Sequence, residues 1–138
     1  VNITGLYNKK LSCKNRKFLF VFNENALSLY DIMYEIKAGV VLSGVGCVTK
    51  ARVRDACGVT IVEIDYHMEI VSLMGTVSEK RCHLHVSFSK EDLSVIGGHL
   101  VAGCIINTTC ELVIGELEDC IYDVEFDEET GYNELVVK

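Results

Sequence analysis

Short segments rich in apolar and β-branched residues occupy most of the chain after residue 39, and this pattern predicts β-strands. An earlier apolar run, Phe18–Phe22, predicts one more buried strand. Glycines separate several of the later segments, as expected where strands turn. These segments are Val40–Cys47, Thr49–Arg54, Val59–Asp65, Met68–Val77, Cys82–Phe88, His99–Ile106, Cys110–Leu117, Tyr122–Phe126 and Glu134–Val137.

Between the first strand and the others, the apolar positions change to the spacing of a helix. Residues three and four apart on a helix share one face, and a glycine commonly follows its last turn. Gly39 is the candidate stop, so the pattern predicts a helix at about 26–38. One helix near the N-terminus followed by many strands predicts an α+β fold with a mostly antiparallel sheet of about seven or more strands. The apolar positions of the helical stripe are Leu29, Ile32, Met33 and Ile36.

The length and composition are those of one globular domain, with 138 residues of which 49% are hydrophobic and 24% charged. No apolar run approaches the roughly 20 residues that a membrane helix needs. The seven cysteines, an odd number without a C-x-x-C pair, favour free thiols in a reducing compartment. We therefore expect a cytoplasmic protein with no membrane segment.

Charge is distributed unevenly along the chain. Residues 1–17 carry five basic side chains and no acid, which predicts a basic N-terminal tail before a single domain at 18–138. Residues 111–138 carry ten acids against one lysine, and the whole chain has a formal charge of −7. Phosphate contacts from Lys and Arg supply most non-specific affinity for DNA, so an acidic domain disfavours nucleic acid as a partner.

Three of the four histidines, His83, His85 and His99, are close in the sequence. Residues two apart in a strand share a face, so His83 and His85 point to one side of Cys82–Phe88 and its apolar residues to the other. The paired glycines before His99 permit a tight turn that could bring the third imidazole beside the first two. Three imidazoles can hold a divalent transition metal, of which zinc is the first candidate. On spacing alone, three surface or hydrogen-bonding histidines are an equal alternative.

Glu111 is the one acid in an otherwise apolar strand. If it faces the histidines, it could orient one of them or act as a general base, which makes it the candidate catalytic residue. If it faces solvent, it is an ordinary strand acid. The remaining thiol and imidazole candidates are interpreted as structural: Cys82, Cys104, Cys110 and His67.

Four segments together resemble the Plants and Prokaryotes Conserved (PPC) domain, which follows AT-hooks in plant nuclear proteins and stands alone in bacteria and archaea. The resemblance covers nearly the whole chain from about residue 18, and its most specific part is H-L-H-V followed by G-G-H-L. It implies an α+β fold, a homotrimer, and a metal held by His83, His85 and His99. The segments are Ile70–Val77, His83–Ser87, Gly97–Leu100 and Thr109–Ile114.

Two departures limit what this resemblance implies. Phe20–Asn25 replaces the family's Pro-Gly-Glu-type turn, and a chain without proline has no Arg-Gly-Arg-Pro AT-hook. Without that minor-groove element, direct DNA binding is disfavoured and the plant role does not transfer. The family's fold also resembles that of acetolactate decarboxylase, which holds zinc with an H-x-H pair and a later histidine. That likeness favours a metal, and it extends to catalysis only by analogy.

Two functions from different classes are therefore open. The first is a stand-alone prokaryotic PPC protein, a metal-binding homotrimer with a regulatory, DNA-associated or interaction role that involves a protein partner. The second is a small metal-dependent hydrolase or decarboxylase with a site like that of acetolactate decarboxylase. Both hypotheses use the three histidines, so an acid such as Glu111 within reach of the metal is what distinguishes the enzyme.

Overall fold

The computed structural model describes residues 17–23, as backbone, and residues 36–138 in full. These residues form eight β-strands, all paired antiparallel, in a six-stranded and a two-stranded sheet. Apart from Lys17, the predicted basic tail lies outside the described residues. The strands are β1 (Lys17–Asn23), β2 (Gly39–Arg54), β3 (Ile61–Val77), β4 (Cys82–Ser89), β5 (Val95–Leu100), β6 (Ile105–Glu116), β7 (Tyr122–Asp127) and β8 (Tyr132–Val137).

The predicted α+β class is wrong for the described part of the chain, which is all-β and contains no helix. Of the predicted helix at 26–38, residues 26–35 lie outside the described ranges, and residues 36–38 form a bend. Ile36 is only 2% exposed, so this apolar position is buried by tertiary packing of a bend. Three separate segments donate hydrogen bonds to the carbonyls of the bend: Glu79 to Ile36 at 3.0 Å, Tyr122 to Lys37 at 3.0 Å and Leu117 to Ala38 at 2.9 Å.

Gly39 begins β2 rather than ending a helix. A Cβ at this position would lie 2.8 Å from Cγ2 of Ile36 and 2.9 Å from Cγ2 of Val77. Close approach of the bend to the sheet therefore explains the glycine. Within the residues from 36 onward, no helix has the length and hydropathy to span a membrane.

In two places, two strands that the sequence predicts separately form one long strand in the structure. In β2 the register against β3 shifts between Val48 and Lys50, which is an irregularity of the bulge type. A bulge bends a strand and interrupts its alternation without ending it. The prediction therefore divided each long strand: β2 contains the predicted 40–47 and 49–54, and β3 contains nearly all of the predicted 59–65 and 68–77.

The predicted strand His99–Ile106 is wrong because the chain turns inside it. β5 ends at Leu100 and β6 begins at Ile105. Gly103 lies in this connection with a φ of 103°, a conformation that residues with a Cβ rarely adopt.

Four strands of the large sheet close into a ring. The order of the sheet is β1-β6-β2-β3-β4-β5, and β5 pairs a second time with β2. At the closing edge Leu100 lies opposite Val53 and His99 lies opposite Arg54. β2 is long enough to serve both neighbours, since it pairs with β6 up to Lys50 and with β5 at its last two residues.

Two glycines in β5 permit this closure. A Cβ on Gly98 would lie 2.6 Å from the carbonyl oxygen of Arg54, and a Cβ on Gly97 would collide with the carbonyl oxygen of Val86. Both glycines are inside a strand and not in the tight turn predicted for them. Their role is to let β5 lie close to β4 on one side and to β2 on the other.

The interior of the ring is apolar. On β4 the side chains of Leu84, Val86 and Phe88 are buried, while His85 is exposed on the opposite face. The alternation predicted for this strand is therefore correct, and it directs the histidines away from the core.

The β7–β8 hairpin is held to the large sheet by an ion-pair cluster around Asp123. The Asp123 carboxylate accepts hydrogen bonds from Nζ of Lys138 at 2.7 Å and from Nζ of Lys80 at 2.6 Å. The bond from Lys138 has the larger effect and that from Lys80 the next, and together they hold the pKa of Asp123 well below its ordinary value of 3.8. Lys80 lies in the turn before β4, so its bond to Asp123 connects the hairpin to the start of the histidine strand, while the Lys138 bond joins the two ends of the hairpin itself.

Gly98→Ala is expected to lower the free energy of unfolding by about 1–3 kcal/mol, because the added Cβ would press against backbone that cannot rotate away. Gly115→Ala is the matched control, since its Cβ would first meet the flexible Leu42 side chain at 3.2 Å. Urea denaturation of both variants measures the difference. Equal losses of stability would show that the β5–β2 contact is not tight.

Asp123→Asn is expected to lower the thermal midpoint at neutral pH by removing both ion pairs. Since the folded pKa of Asp123 lies below 3.8, its stabilisation is complete above that pH and decreases as the pH falls below it. The difference between parent and variant should therefore stay constant from about pH 7 to about pH 5 and shrink as the pH falls from about 4 to about 2. Thermal unfolding across this range is the measurement, and a difference that does not change would contradict the cluster.

Candidate functional site

The three histidines meet where the strand ring closes. His83 and His85 project from one face of β4, and His99 lies directly opposite His85 on β5. The centroids of the three imidazole rings are separated by 5.3 Å, 5.0 Å and 5.4 Å in the three pairs. The structure thus brings together all three candidate metal ligands, which belong to two neighbouring strands.

The β4–β5 turn sets the register that pairs His85 with His99. The turn is centred on Asp92, which is the midpoint of that pair in the sequence. The backbone N–H of Lys90 donates to the carbonyl of Ser94 at 3.0 Å, and Oδ1 of Asp92 accepts from both N–H and hydroxyl of Ser94. An Asp-Leu-Ser turn midway between two histidines is a sequence signal that could have predicted this pairing.

The geometry of the imidazoles fits a transition metal. Nε2 of His83 is 3.3 Å from Nε2 of His85, and one ring nitrogen from each of the three histidines lies within 4.8 Å of the others. Two nitrogens bound to a tetrahedral zinc at about 2.0–2.1 Å are themselves about 3.3 Å apart. The His83–His85 pair already has that spacing, and a ring nitrogen of His99 lies within 4.8 Å of both.

Burial and neighbouring cations favour the neutral form of two of these rings. The pKa of His99 is lowered to about 4, mainly by burial and to a smaller extent by the nearby Arg54 guanidinium. Burial, and then the Arg81 guanidinium, also lower the pKa of His83. A neutral imidazole has a lone pair to offer a metal, so this environment suits a ligand role.

Arg81 contacts the site in a way that competes with a metal. Its Nη2 lies 2.7 Å from Nδ1 of His83. A guanidinium only donates hydrogen bonds, so Nδ1 accepts here and the proton of a neutral ring lies on Nε2. Binding an ion through Nε2 of His83 therefore requires Arg81 to release Nδ1. The carboxylate of Glu134, 3.8 Å from Nη2 of Arg81, is close enough to take the guanidinium.

A pocket of about 550 Å³ opens beside His83 and His99. Its walls come from the end of β2 and the following turn, the start of β4, and the first residues of β8. The polar residues that line it beyond the histidines are Arg54, Arg81, Tyr132, Asn133 and Glu134. None of these five is among the site residues that the sequence predicts.

Only one of them had a sequence signal. Arg81 lies two residues before His83 and so continues the same face of the strand. Arg54 reaches the site because β5 pairs with β2, and the β8 residues reach it because the hairpin is attached beside β4. Neither relation is visible in the sequence pattern.

Glu111 lies elsewhere in this chain. It is exposed on β6, opposite Val45 of β2 and Val21 of β1. Two strands, β2 and β3, separate β6 from the histidine strand β4 in the sheet order. Within one chain, the acid that lines the pocket is Glu134 and not Glu111.

The other candidates have structural environments. The cysteines that the structure describes form no disulfide. Cys82 and Cys104 pack against the core, and Cys110 lies inside it, where burial raises its pKa to about 12. His67 is exposed in the middle of β3, with Nδ1 3.2 Å from the side-chain amide of Asn107.

Comparison with known families and curated proteins shows two relationships. The family model of the Plants and Prokaryotes Conserved (PCC) domain, abbreviated PPC above, matches residues 28–118. The bifunctional protein GlmU of Synechococcus sp. (strain JA-3-3Ab) is 33% identical over 103 residues, which are 75% of this chain. The chain spans only 17% of that protein's length.

Solved structures share the fold. A hypothetical protein from Salmonella cholerae-suis is 26% identical with a TM-score of 0.84, over 89% of this chain and 93% of that one. A metal-containing protein from Archaeoglobus fulgidus is 28% identical with a TM-score of 0.70, over 88% and 93%. A protein from Bacteroides thetaiotaomicron, described as a candidate DNA-binding protein, has a TM-score of 0.81 over 96% and 98%. At 21% identity it shows the fold alone.

Proposed function

The chain belongs to the Plants and Prokaryotes Conserved (PCC) domain family, and on this basis we propose that it is a metal-binding module whose ion is held by His83, His85 and His99. The observation that carries the proposal is the 3.3 Å separation of Nε2 of His83 from Nε2 of His85, with a nitrogen of His99 within 4.8 Å. The metal-containing protein from Archaeoglobus fulgidus supports it, because that protein is 28% identical over 88% of this chain.

Zinc is the metal we propose. Imidazole nitrogen is a common zinc ligand, and three neutral imidazoles without a thiolate or carboxylate are typical of a site that keeps one position open. The protein contributes rigidity, because His85 and His99 are fixed by strand pairing. Arg81 must exchange His83 for another acceptor when the ion binds, and Glu134 is the nearest one.

We also propose that the chain forms a homotrimer. Large apolar side chains are exposed on the neighbouring strands β2 and β3, and Met74 among them is 67% exposed. Contiguous exposed apolar surface on a folded domain is typical of an interface. Met74 lies opposite His85, so the surface adjoins the histidines. Its large residues are Leu42, Val45, Val71 and Met74.

The proposed role of such an assembly is regulation or interaction through protein contacts. A formal charge of −7 opposes direct contact with a polyanion, so we propose that any association with DNA is indirect. The alternative is a small metal-dependent hydrolase or decarboxylase. The observation that favours it is the open pocket beside His83 and His99, whose lining includes the carboxylate of Glu134.

The parent protein is expected to bind about one zinc ion per chain, and His99→Ala to weaken binding by at least about a hundredfold, since it removes a direct ligand. Elemental analysis and competition with a zinc chelator measure both quantities. His67→Ala is the matched control, because this exposed histidine lies outside the cluster. Absence of zinc from the parent after incubation with the ion would overturn the proposal.

Sedimentation equilibrium is expected to give a mass near three times the chain mass of 15.3 kDa. Val71→Lys should lower it, because a charge would be buried where the apolar surfaces meet. Val59→Lys is the control, since Val59 is 84% exposed in the turn before β3 and not on that surface. A parent mass near that of one chain would exclude the trimer.

A further inference from the structure

Two arginines near the end of β2 differ in their ion-pair partners. Arg52 and Arg54 are two residues apart and so share one face of the strand. Nε of Arg52 forms an ion pair with Glu63 at 2.8 Å, and its Nη1 donates to the carbonyl of Ala102 at 2.6 Å. Nε of each arginine is buried without a well-aligned hydrogen bond, but among residues 36–138 Arg52 has the Glu63 carboxylate beside it, whereas no carboxylate forms an ion pair with Arg54.

The unpaired guanidinium belongs to the pocket beside the histidines. Arg54 lies directly opposite His99 at the closing edge of the ring, and both residues line that pocket. Charged groups shielded from water in folded proteins are usually paired, so a guanidinium without a carboxylate partner in a pocket wall indicates that the anionic partner comes from a ligand.

The second arginine of the pocket is less available. Nη2 of Arg81 is engaged with Nδ1 of His83, and Glu134 lies 3.8 Å from it. Glu134 is itself held by the hydroxyl of Thr130, which donates to Oε1 at 3.2 Å. Among the described residues that line the pocket, Arg54 is therefore the cation left for an external anion.

We propose that the pocket binds a small organic oxyanion, a carboxylate or a phosphate ester, whose charged group is held by the guanidinium of Arg54. The planar fork of a guanidinium matches both kinds of oxyanion. A volume of about 550 Å³ suits a small molecule, and the acidic chain repels extended polyanions. The proposal rests on the proposed metal site for a second point of attachment, near His99, while the Arg54 contact is independent of it.

The experiment titrates the full chain, zinc-free and zinc-loaded, with lactate, inorganic phosphate and the neutral analogue lactamide, by calorimetry and by NMR of the arginine Nε–H signals. Lactate or phosphate is expected to bind and to shift the Arg54 signal, and lactamide is not. Arg54→Gln should weaken binding about tenfold to a hundredfold in both zinc states. Arg52→Gln is the matched control and should keep the parent affinity, because Arg52 is already paired.

Arg54→Lys provides a second variant should Arg54→Gln fold poorly. Lysine keeps the positive charge but lacks the planar, two-pronged donor geometry of a guanidinium. The affinity of this variant for the anion should therefore fall between those of the parent and Arg54→Gln. Binding that depends on Arg54 in the zinc-free protein supports the anion site even if zinc itself fails to bind. Lactate alone would identify a carboxylate ligand, and phosphate alone a phosphate ester. No binding of either anion, or equal binding by parent and Arg54→Gln, overturns the proposal.

Discussion

The close fit of β5 between β4 and β2 is the constraint on which the rest of the structure depends. Gly98 brings β5 to the backbone of Arg54, and Gly97 brings it to the backbone of Val86. Because the backbones meet, strands β2 to β5 close into a ring, and His99 lies between His85 and Arg54. A larger residue at Gly98 would push β5 away from the strand that supplies Arg54, and one at Gly97 would separate the two strands that supply the histidines.

The chemistry of the site follows from an imbalance of charge that the ring creates. The whole chain is acidic, at −7, yet among residues 36–138 the pocket beside the histidines is lined by Arg54 and Arg81 against one carboxylate, Glu134. These cations and burial lower the pKa of His99 and of His83, which favours neutral ligands. The same cations repel a divalent ion. A small anion that contacts both the ion and Arg54 would offset that repulsion, so the two proposed sites complement each other electrostatically.

Local patterns predicted the strands well and the fold class badly. Alternation along β4 correctly divided Leu84, Val86 and Phe88 from the histidine face, because a strand has a fixed period of two. The predicted helix is wrong at Ile36, the one residue of the apolar stripe that the structure describes. Ile36 is buried in a bend whose hydrogen-bond partners are distant in the sequence. The sequence predicts a turn at Gly97 and Gly98, but both lie inside β5. A sequence pattern does not show whether a glycine serves a turn or a close contact between strands.

By itself, the sequence determined that His83 and His85 share a face and that the chain is acidic and apolar enough to form one core, because alternation and composition are local or additive properties. It also identified the family through H-L-H-V and G-G-H-L. Only the tertiary structure decided that Arg54 and Glu134 join the histidines and that Glu111 does not. Those relations depend on β5 pairing with β2 and on the hairpin held by Asp123, which connect residues far apart in the chain. Such pairings depend on the packing of whole strands, and no short pattern of residues records them.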